Sequence, residues 1–147
     1  MQQNYIGERI QQAWDKAWNN GDVEALDDVL ASDYQRTGLL DNKIYDKAGM
    51  KNVILNVRES FPDMHTSISQ CVEDNDSIAI LWTSTATHLG AYRGVPPTKK
   101  SIVTSGASFF SKQDDMIIRE TETWDARDIL STLGIFSLGS SQESDDI

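Results

Sequence analysis

Four long stretches of alternating side chains, all after Pro62, are the feature that most constrains how this chain can fold. They cover residues 64–73, 77–89, 101–112 and 116–124, are rich in β-branched and aromatic residues, and are separated by turn-forming residues. Before Pro62, apolar residues recur at helical spacing instead. Helices followed by consecutive strands predict an α+β fold with an antiparallel or mixed sheet, rather than a parallel α/β sheet.

The predicted strands are longer than is usual in globular proteins. Strands of this length bend, so we expect a curled sheet that wraps around a cavity. Gly106 interrupts the third stretch and fits a bulge or bend that permits such curvature.

The segment before Pro62 predicts three helices. The first two cover residues 6–18 and 23–30, and the third follows Asp46 as its N-cap and ends at Pro62. Residues 33–45 contain two tyrosines around a turn sequence, which predicts a short strand or hairpin that covers the cavity opening.

The last predicted strand runs into a short helix at Asp125, and this junction is the first candidate for chemistry. One face of the strand carries Arg119, Thr121, Thr123 and Asp125, and the other carries Ile118, Glu120, Glu122 and Trp124. Asp125 has two interpretations. It is either the N-cap of the helix that closes at Gly134, or a general base aimed into the cavity.

The bulk properties limit the classes of function. A chain of 147 residues fits one domain, expected over residues 1–136, followed by an acidic, flexible tail over residues 137–147. The net charge of −10 argues against nucleic acid as a partner. A single cysteine, Cys71, excludes an internal disulfide, and no signal or membrane segment is evident, so we expect a soluble cytoplasmic protein.

Five motifs in order resemble the SnoaL-like polyketide cyclase family, which belongs to the nuclear-transport-factor-like superfamily of α+β cones. The resemblance extends over residues 14–135. The motifs are AWNNGDVEALDDVLASDY, FPD, WTSTATHLG, GVPPT and RETETWDARDILSTLG.

The resemblance implies a cone with an internal pocket and an intramolecular aldol condensation, catalysed without cofactor or metal by an aspartate of the final strand. Asp125 is the position that matches this aspartate. The family's usual Glu-Trp pair is Glu120-Thr121 in this sequence, and a histidine that assists in the best-known cyclase has no counterpart in residues 101–112.

Other side chains complete the predicted site. Further acid/base candidates are His65, His88 and Glu59, for which hydrogen-bonded structural histidines and a surface glutamate are the alternatives. The residues predicted to bind substrate are Trp14, Trp18, Tyr34, Trp82, Arg119, Thr121 and Thr123. Core packing is the alternative for the tryptophans. Without histidine or cysteine at ligand spacing, the sequence predicts no metal site.

These features predict a cofactor-free cyclase or isomerase of secondary metabolism that acts on a hydrophobic polyketide- or terpenoid-like ketone by acid/base chemistry. Two alternatives are a non-catalytic small-molecule-binding protein on the same fold and a limonene-type epoxide hydrolase, which needs an arginine and two aspartates around a water. The expected partners are a hydrophobic small molecule and a second copy of the chain in a homodimer. The apolar residues expected to cover both faces of the sheet are Ile78, Ile80, Phe109 and Phe110.

Overall fold

The computed structural model describes residues 6–135. Its α-helices are α1 (Ile6–Trp14), α2 (Lys47–Ser60) and α3 (Arg127–Thr132). A π-helical turn, Asp15–Asn19, extends α1, and a 3₁₀-helix, Val23–Asp28, follows. The strands are β1 (Leu30–Gly38), β2 (Ile44–Asp46), β3 (His65–Glu73), β4 (Ser77–Thr87), β5 (Ser101–Gln113) and β6 (Met116–Trp124).

The six strands form one curved sheet in the order β2-β1-β6-β5-β4-β3. All neighbours are antiparallel except β1 and β6, which run parallel. Strand β1 comes from the helical half of the chain, so its pairing with β6 joins the two halves. The predicted α+β fold with a mixed, curved sheet and helices is confirmed.

The core lies between the helices and the concave face of the sheet. One cluster packs α1, the 3₁₀-helix and α2 against the sheet around Tyr34 and Phe110, both of which are fully buried. A second cluster packs α3 against Phe61 and Tyr92. Ile78, Ile80 and Phe110 belong to this buried side, whereas Phe109 lies on the exposed outer face.

The helix ends show how local sequence sets the boundaries. The Asp46 side chain accepts a hydrogen bond of 2.7 Å from the N–H of Gly49, so its predicted N-cap role for α2 is confirmed. Gly134 has φ 81°, the left-handed conformation predicted after α3. The first N–H groups of α1 donate to the Glu73 carboxylate, which also binds Lys112 at 2.7 Å.

Three sequence-based expectations need correction or lie outside the structure. Gly106 forms no bulge, because it pairs regularly with Trp82 and Trp124. The register shifts lie elsewhere, between Leu30 and Gln35, between Ile68 and Gln70, and between Ser111 and Lys112. Leu30 begins β1 rather than ending the second helix. The tail over residues 137–147 lies outside the described residues.

Among residues 6–135, no helix has the length and apolar character needed to cross a membrane.

Candidate functional site

A cavity of about 90 Å³ lies between α2 and the concave face of the sheet. All four tryptophans of the sequence, Trp14, Trp18, Trp82 and Trp124, line it. Trp14 is held by an edge-on contact with Phe110, with ring centroids 5.4 Å apart. The cavity therefore offers flat aromatic surfaces to an apolar ligand.

Local chain geometry positions two of these tryptophans. An added Cβ at Gly106 would lie 2.3 Å from Cζ2 of Trp82, so only glycine leaves room for that ring. Trp18 lies in the π-helical turn, where its carbonyl accepts a 2.7 Å hydrogen bond from Arg58 Nη1. π-Helical turns are uncommon and frequently occur at functional sites.

The polar end of the cavity is a buried group of four side chains, termed the Arg36 cluster: Tyr34, Arg36, Glu120 and Glu122. The Tyr34 hydroxyl donates to Oε1 of Glu120 at 2.5 Å. Arg36 lies between the two carboxylates, with Nε 3.8 Å from Oε2 of Glu120 and Nη2 paired with Oε2 of Glu122. No member is more than 7% exposed. Two carboxylates and one guanidinium are thus withdrawn from water together.

The parallel pairing of β1 with β6 creates this cluster. Arg36 and Glu120 are Cα partners across the two strands, and Gly38 is the partner of Glu122. Burial, with the charge of Glu120, raises the pKa of Tyr34 well above its ordinary value, so Tyr34 stays a neutral donor. The cavity is lined by Arg36, Glu120 and Glu122. Tyr34 is outside the lining and holds Glu120 in place through its hydrogen bond.

The sheet floor of the cavity has three successive rows of residues paired across the strands. The first, termed the acidic row, contains Ser108 of β5 and its partner Glu122 of β6. In the second, termed the aromatic row, Gly106 lies between Trp82 and Trp124.

The third row consists of hydroxyl side chains. Thr66, Ser84 and Thr104 are Cα partners in sequence across β3, β4 and β5, and all three line the cavity. The Thr66 and Ser84 oxygens are 2.7 Å apart, whereas Thr104 Oγ1 is buried with no hydrogen-bond partner among residues 6–135. Thr104 and Ser108 are four residues apart on β5, so the hydroxyl row lies about 13 Å from the acidic row.

The structure brings only part of the predicted binding set to the cavity. Trp14, Trp18 and Trp82 line it, and Tyr34 reaches it through Glu120. Arg119, Thr121 and Thr123 project from the opposite face of β6 and do not line the cavity. The Arg119 guanidinium donates to the carbonyl of Asp33 at 3.0 Å instead.

Sequence reasoning missed Arg36, Glu120 and Glu122 as site residues. The available signal was the shared parity of Glu120, Glu122 and Trp124 on β6. Two glutamates with that spacing ordinarily face solvent, and they face inward here because Arg36 compensates their charge.

Asp125 lies at the end of β6 but outside the cavity lining. Its Oδ1 accepts the backbone N–H of Arg127 at 2.9 Å, and the Arg127 side chain pairs with both carboxylate oxygens. Hydrogen bonding from Arg127 lowers the pKa of Asp125. This contact at the start of α3 resembles the capping interpretation, although Ala126 holds the N-cap position. The catalytic role of Asp125 stays a prediction.

The other acid/base candidates also lie away from the cavity lining. His88 is completely buried; its Nδ1 accepts the N–H of Thr98 at 3.1 Å, and burial lowers its pKa. His65 is exposed at the start of β3, and Glu59 is exposed on α2. Within residues 6–135, no cluster of three or more histidine, cysteine or acidic side chains is arranged to hold a metal ion.

Comparison with known proteins places this site in context. The model of a family described as SnoaL-like polyketide cyclase matches residues 8–133. A search of curated proteins gave no match. The fold is similar to that of IdmH from Streptomyces antibioticus, provisionally described as a polyketide cyclase: the sequences are 23% identical, the match covers 89% of this chain and 99% of that chain, and the TM-score is 0.78.

Two further solved structures share the fold. AclR from Streptomyces galilaeus, provisionally described as a hydroxylase, is 21% identical, with 90% of this chain and 100% of that chain covered and a TM-score of 0.77. A Catenulispora acidiphila protein with a ketosteroid isomerase-like fold, solved in complex with trimethylamine, is 15% identical, with 87% and 93% covered and a TM-score of 0.70.

Proposed function

Because the chain belongs to the SnoaL-like polyketide cyclase family, we propose that it is a cofactor-free enzyme that enolises a hydrophobic, polyketide-like ketone and then cyclises or isomerises it. The observation that carries this proposal is the Arg36 cluster, a pair of buried carboxylates at one end of a tryptophan-lined cavity. Enolisation requires a base for the proton next to the carbonyl and a donor for the developing oxyanion.

Glu122 is the member of the cluster best suited to act as the base. Its Oε2 is paired with Arg36, while its Oε1 makes no hydrogen bond or ion pair with any other described residue. Both oxygens of Glu120 already have partners: one accepts a hydrogen bond from Tyr34, and the other faces Arg36. The ion pair holds one oxygen of the Glu122 carboxylate, and Glu122 lines the cavity.

Ser108 supplies the oxyanion donor in this proposal. It is the Cα partner of Glu122, it is 3% exposed, and it lines the cavity. A ketone bound against the acidic row would place its α-carbon near Glu122 and its carbonyl oxygen near Ser108. Glu122 takes the α-proton as the C–H bond breaks. The enolate carbon then attacks a second carbonyl of the same molecule, the C=O π bond opens as the new carbon–carbon bond forms, and the resulting alkoxide takes the proton back from the Glu122 carboxyl group.

The spacing of the floor favours an extended, flat substrate. The aromatic row can stack on a ring system, and the hydroxyl row, about 13 Å from the acidic row along β5, can bind a carbonyl or hydroxyl group on a distant ring. A polyketide carries oxygen substituents at regular intervals along such a framework.

The test measures enolisation directly. Exchange of the methyl protons of acetonaphthone in D₂O, followed by proton NMR, should be faster with the protein than in buffer. Glu122→Gln should lower the exchange rate by about 10²-fold, the scale of one positioned acid/base group. Glu8→Gln, which removes an exposed carboxylate of α1 outside the cavity lining, is the matched control and should not change the rate.

Asp125→Asn tests the assignment that the family resemblance implies. Its carboxylate is paired with Arg127 outside the cavity lining, so we expect the Asn variant to retain exchange. Loss of exchange in Asp125→Asn with full activity in Glu122→Gln would return the role of base to Asp125. No exchange by the wild-type protein, with acetonaphthone or with longer aromatic diketones, would favour a non-catalytic binding protein.

Epoxide hydrolysis is a second candidate function, because Arg36 lies between two carboxylates. A limonene-type hydrolase needs an arginine and two aspartates around a water, and glutamates occupy the acidic positions here. Hydrolysis of limonene oxide that is lost in Glu120→Gln, without any enolisation activity, would support this candidate over the cyclase.

A further inference from the structure

A second concave site, termed the outer groove, lies on the solvent side of α2 and has a volume of about 470 Å³. Four residues line both this groove and the tryptophan-lined cavity: Tyr45, Val53, Val57 and Tyr92. A single layer of side chains therefore separates the two spaces. A ligand long enough to cross this layer would contact both.

The loop that forms one wall of the groove is fastened to the end of α2. The carbonyl of Ser60 accepts hydrogen bonds from the N–H groups of Leu89 and Gly90, both at 3.0 Å, and the Ser60 hydroxyl donates to the carbonyl of Ala91 at 2.7 Å. An added Cβ at Gly90 would lie 2.1 Å from the carbonyl oxygen of Glu59, so this close approach requires glycine. The groove is thus a built feature of the fold.

Arg93 is the cation of this groove. Its backbone has φ 48°, its guanidinium carbon lies 5.8 Å from the centroid of the Tyr92 ring, and its Nε is buried without a hydrogen-bond partner among residues 6–135. Within the same residues, no ion pair includes Arg93. Glu59 lines the groove from the helix side but is exposed to water.

The two arginines near the cavity differ in how their charges are compensated. Arg36 faces two glutamates, so the polar end of the cavity carries more carboxylate than guanidinium charge and repels an anion. Arg93 has no paired carboxylate and can form charge-assisted hydrogen bonds with one. An anionic ligand would therefore bind with its apolar part among the tryptophans and its anionic group outward.

We propose that the outer groove is a subsite for a carboxylate carried by the ligand at the end remote from the Arg36 cluster, with Arg93 as its binding residue. This inference rests on the proposed function only in placing the ligand's rings in the tryptophan-lined cavity. It narrows the ligand class to hydrophobic ring systems with one terminal acid group.

The experiment compares two probes that differ in charge but hardly in shape, naphthoate and naphthamide. Since all four tryptophans line the cavity, their fluorescence reports binding of either probe. Wild-type protein should bind naphthoate about tenfold more tightly than naphthamide, the scale of one charge-assisted hydrogen-bonded contact. Arg93→Gln should bring the ratio of the two dissociation constants close to one, because it weakens naphthoate binding far more than naphthamide binding.

Lys99→Gln is the matched control. It removes a cation from the same loop, at another non-glycine residue with positive φ of 61°, and Lys99 lines neither the groove nor the cavity. The ratio should be unchanged in Lys99→Gln and largely retained in Arg93→Lys. A wild-type ratio near one, an unchanged ratio in Arg93→Gln, an equal loss in Lys99→Gln, or no binding of either probe would overturn the proposal.

These outcomes are independent of the enolisation test, because only binding is measured. If proton exchange fails while the naphthoate preference depends on Arg93, the subsite stands and the catalytic proposal does not. If Glu122 proves to be the base while the two probes bind equally, the catalytic proposal stands and the subsite does not.

Discussion

Arg36 and Glu120 are Cα partners across the only parallel strand pair among residues 6–135, and both side chains point to the cavity side of the sheet. The pairing joins residues that are distant in sequence, one from the helical half of the chain and one from the last strand. Glu122, two residues further along β6, faces the same guanidinium. The candidate site therefore exists only when the sheet has closed between its first and last long strands.

Replacement of Arg36 tests how far the cluster depends on its cation. Arg36→Leu would leave Glu120 and Glu122 buried without compensation, and removing one partner of a buried ion pair costs about 3–5 kcal/mol. Urea denaturation should show a fall of that size in the free energy of unfolding. Arg119→Leu, on the outer face of the neighbouring strand, should lower it by less than about 1 kcal/mol. Equal losses in the two variants would show that the buried cluster has no special role in stability.

Substitution of Gly106 tests the packing of Trp82. In Gly106→Ala the new methyl group would lie 2.3 Å from the Trp82 ring and 2.6 Å from the carbonyl oxygen of Thr123, and the backbone atom cannot rotate away. We expect a loss of about 1–3 kcal/mol in unfolding free energy and a shift in tryptophan emission. Ser105→Ala, at the exposed neighbouring position, is the control. Unchanged emission and stability in Gly106→Ala would contradict the close packing seen for Trp82.

Local sequence was sufficient to predict most of the secondary structure. The Asp46 cap, the stripe of α2 and the alternation of β3 to β6 are all short-range signals, so these elements were predicted correctly within a few residues. The predicted binding residues included Trp14, Trp18 and Trp82 but not Trp124, which also lines the cavity. Leu30 was misassigned because an apolar residue after a short helix fits either a helix end or a strand start.

The chemistry of the site required long-range information. Nothing near Arg36 in sequence indicates that β1 will lie parallel to β6, so the charge that makes Glu120 and Glu122 acceptable in the interior could not be inferred. Without it, the sequence gives no reason to prefer the face of β6 with Glu120 and Glu122 over the face with Thr121 and Thr123 as the inner one. Parity alone separates the two faces of a strand but does not identify the inner one.

The outer face of the sheet supports our proposal of a homodimer. Four large apolar side chains are exposed there: Val72 at 70%, Leu81 at 46%, Val103 at 60% and Phe109 at 53%. Val72, Ala79 and Phe109 are paired in one row across β3, β4 and β5, and Leu81 lies in the next row, so these side chains form a continuous apolar patch. Val103 lies apart from this patch, beyond the polar pair Thr83 and Ser105. Sedimentation at tens of micromolar should give about twice the chain mass of 16.4 kDa.

Phe109→Arg is the variant that tests this interface. It places a charge in the centre of the apolar row and should give a monomer with unchanged circular dichroism. Leu40→Arg introduces the same charge at a side chain that is 67% exposed in the turn between β1 and β2, and it should stay dimeric. A monomeric wild-type protein, or dimer loss in Leu40→Arg alone, would refute the outer-face dimer.

His88 predicts a pH dependence of stability that does not involve the cavity carboxylates. Burial lowers the pKa of His88 below its ordinary value of 6.5, so the unfolded chain takes up this proton at higher pH than the folded protein. The contribution of His88 to the free energy of unfolding is therefore at its full value above pH 6.5 and is lost as the pH falls below that value. The aspartates with lowered pKa, Asp27, Asp63, Asp74 and Asp125, act only near or below their ordinary value of 3.8.

The unfolding free energy of wild-type protein should therefore fall between pH 6.5 and about pH 5, before those aspartates titrate. His88→Gln should flatten the curve in this window, whatever its effect on stability at neutral pH, because no buried imidazole remains to be protonated on unfolding. His65→Gln removes the exposed histidine of β3 and should leave the slope as in wild type. If the slope of unfolding free energy against pH persists in His88→Gln and disappears in His65→Gln, His65 is the titrating group. The buried imidazole of His88, between Phe61 and Thr98, would then have no part in acid sensitivity.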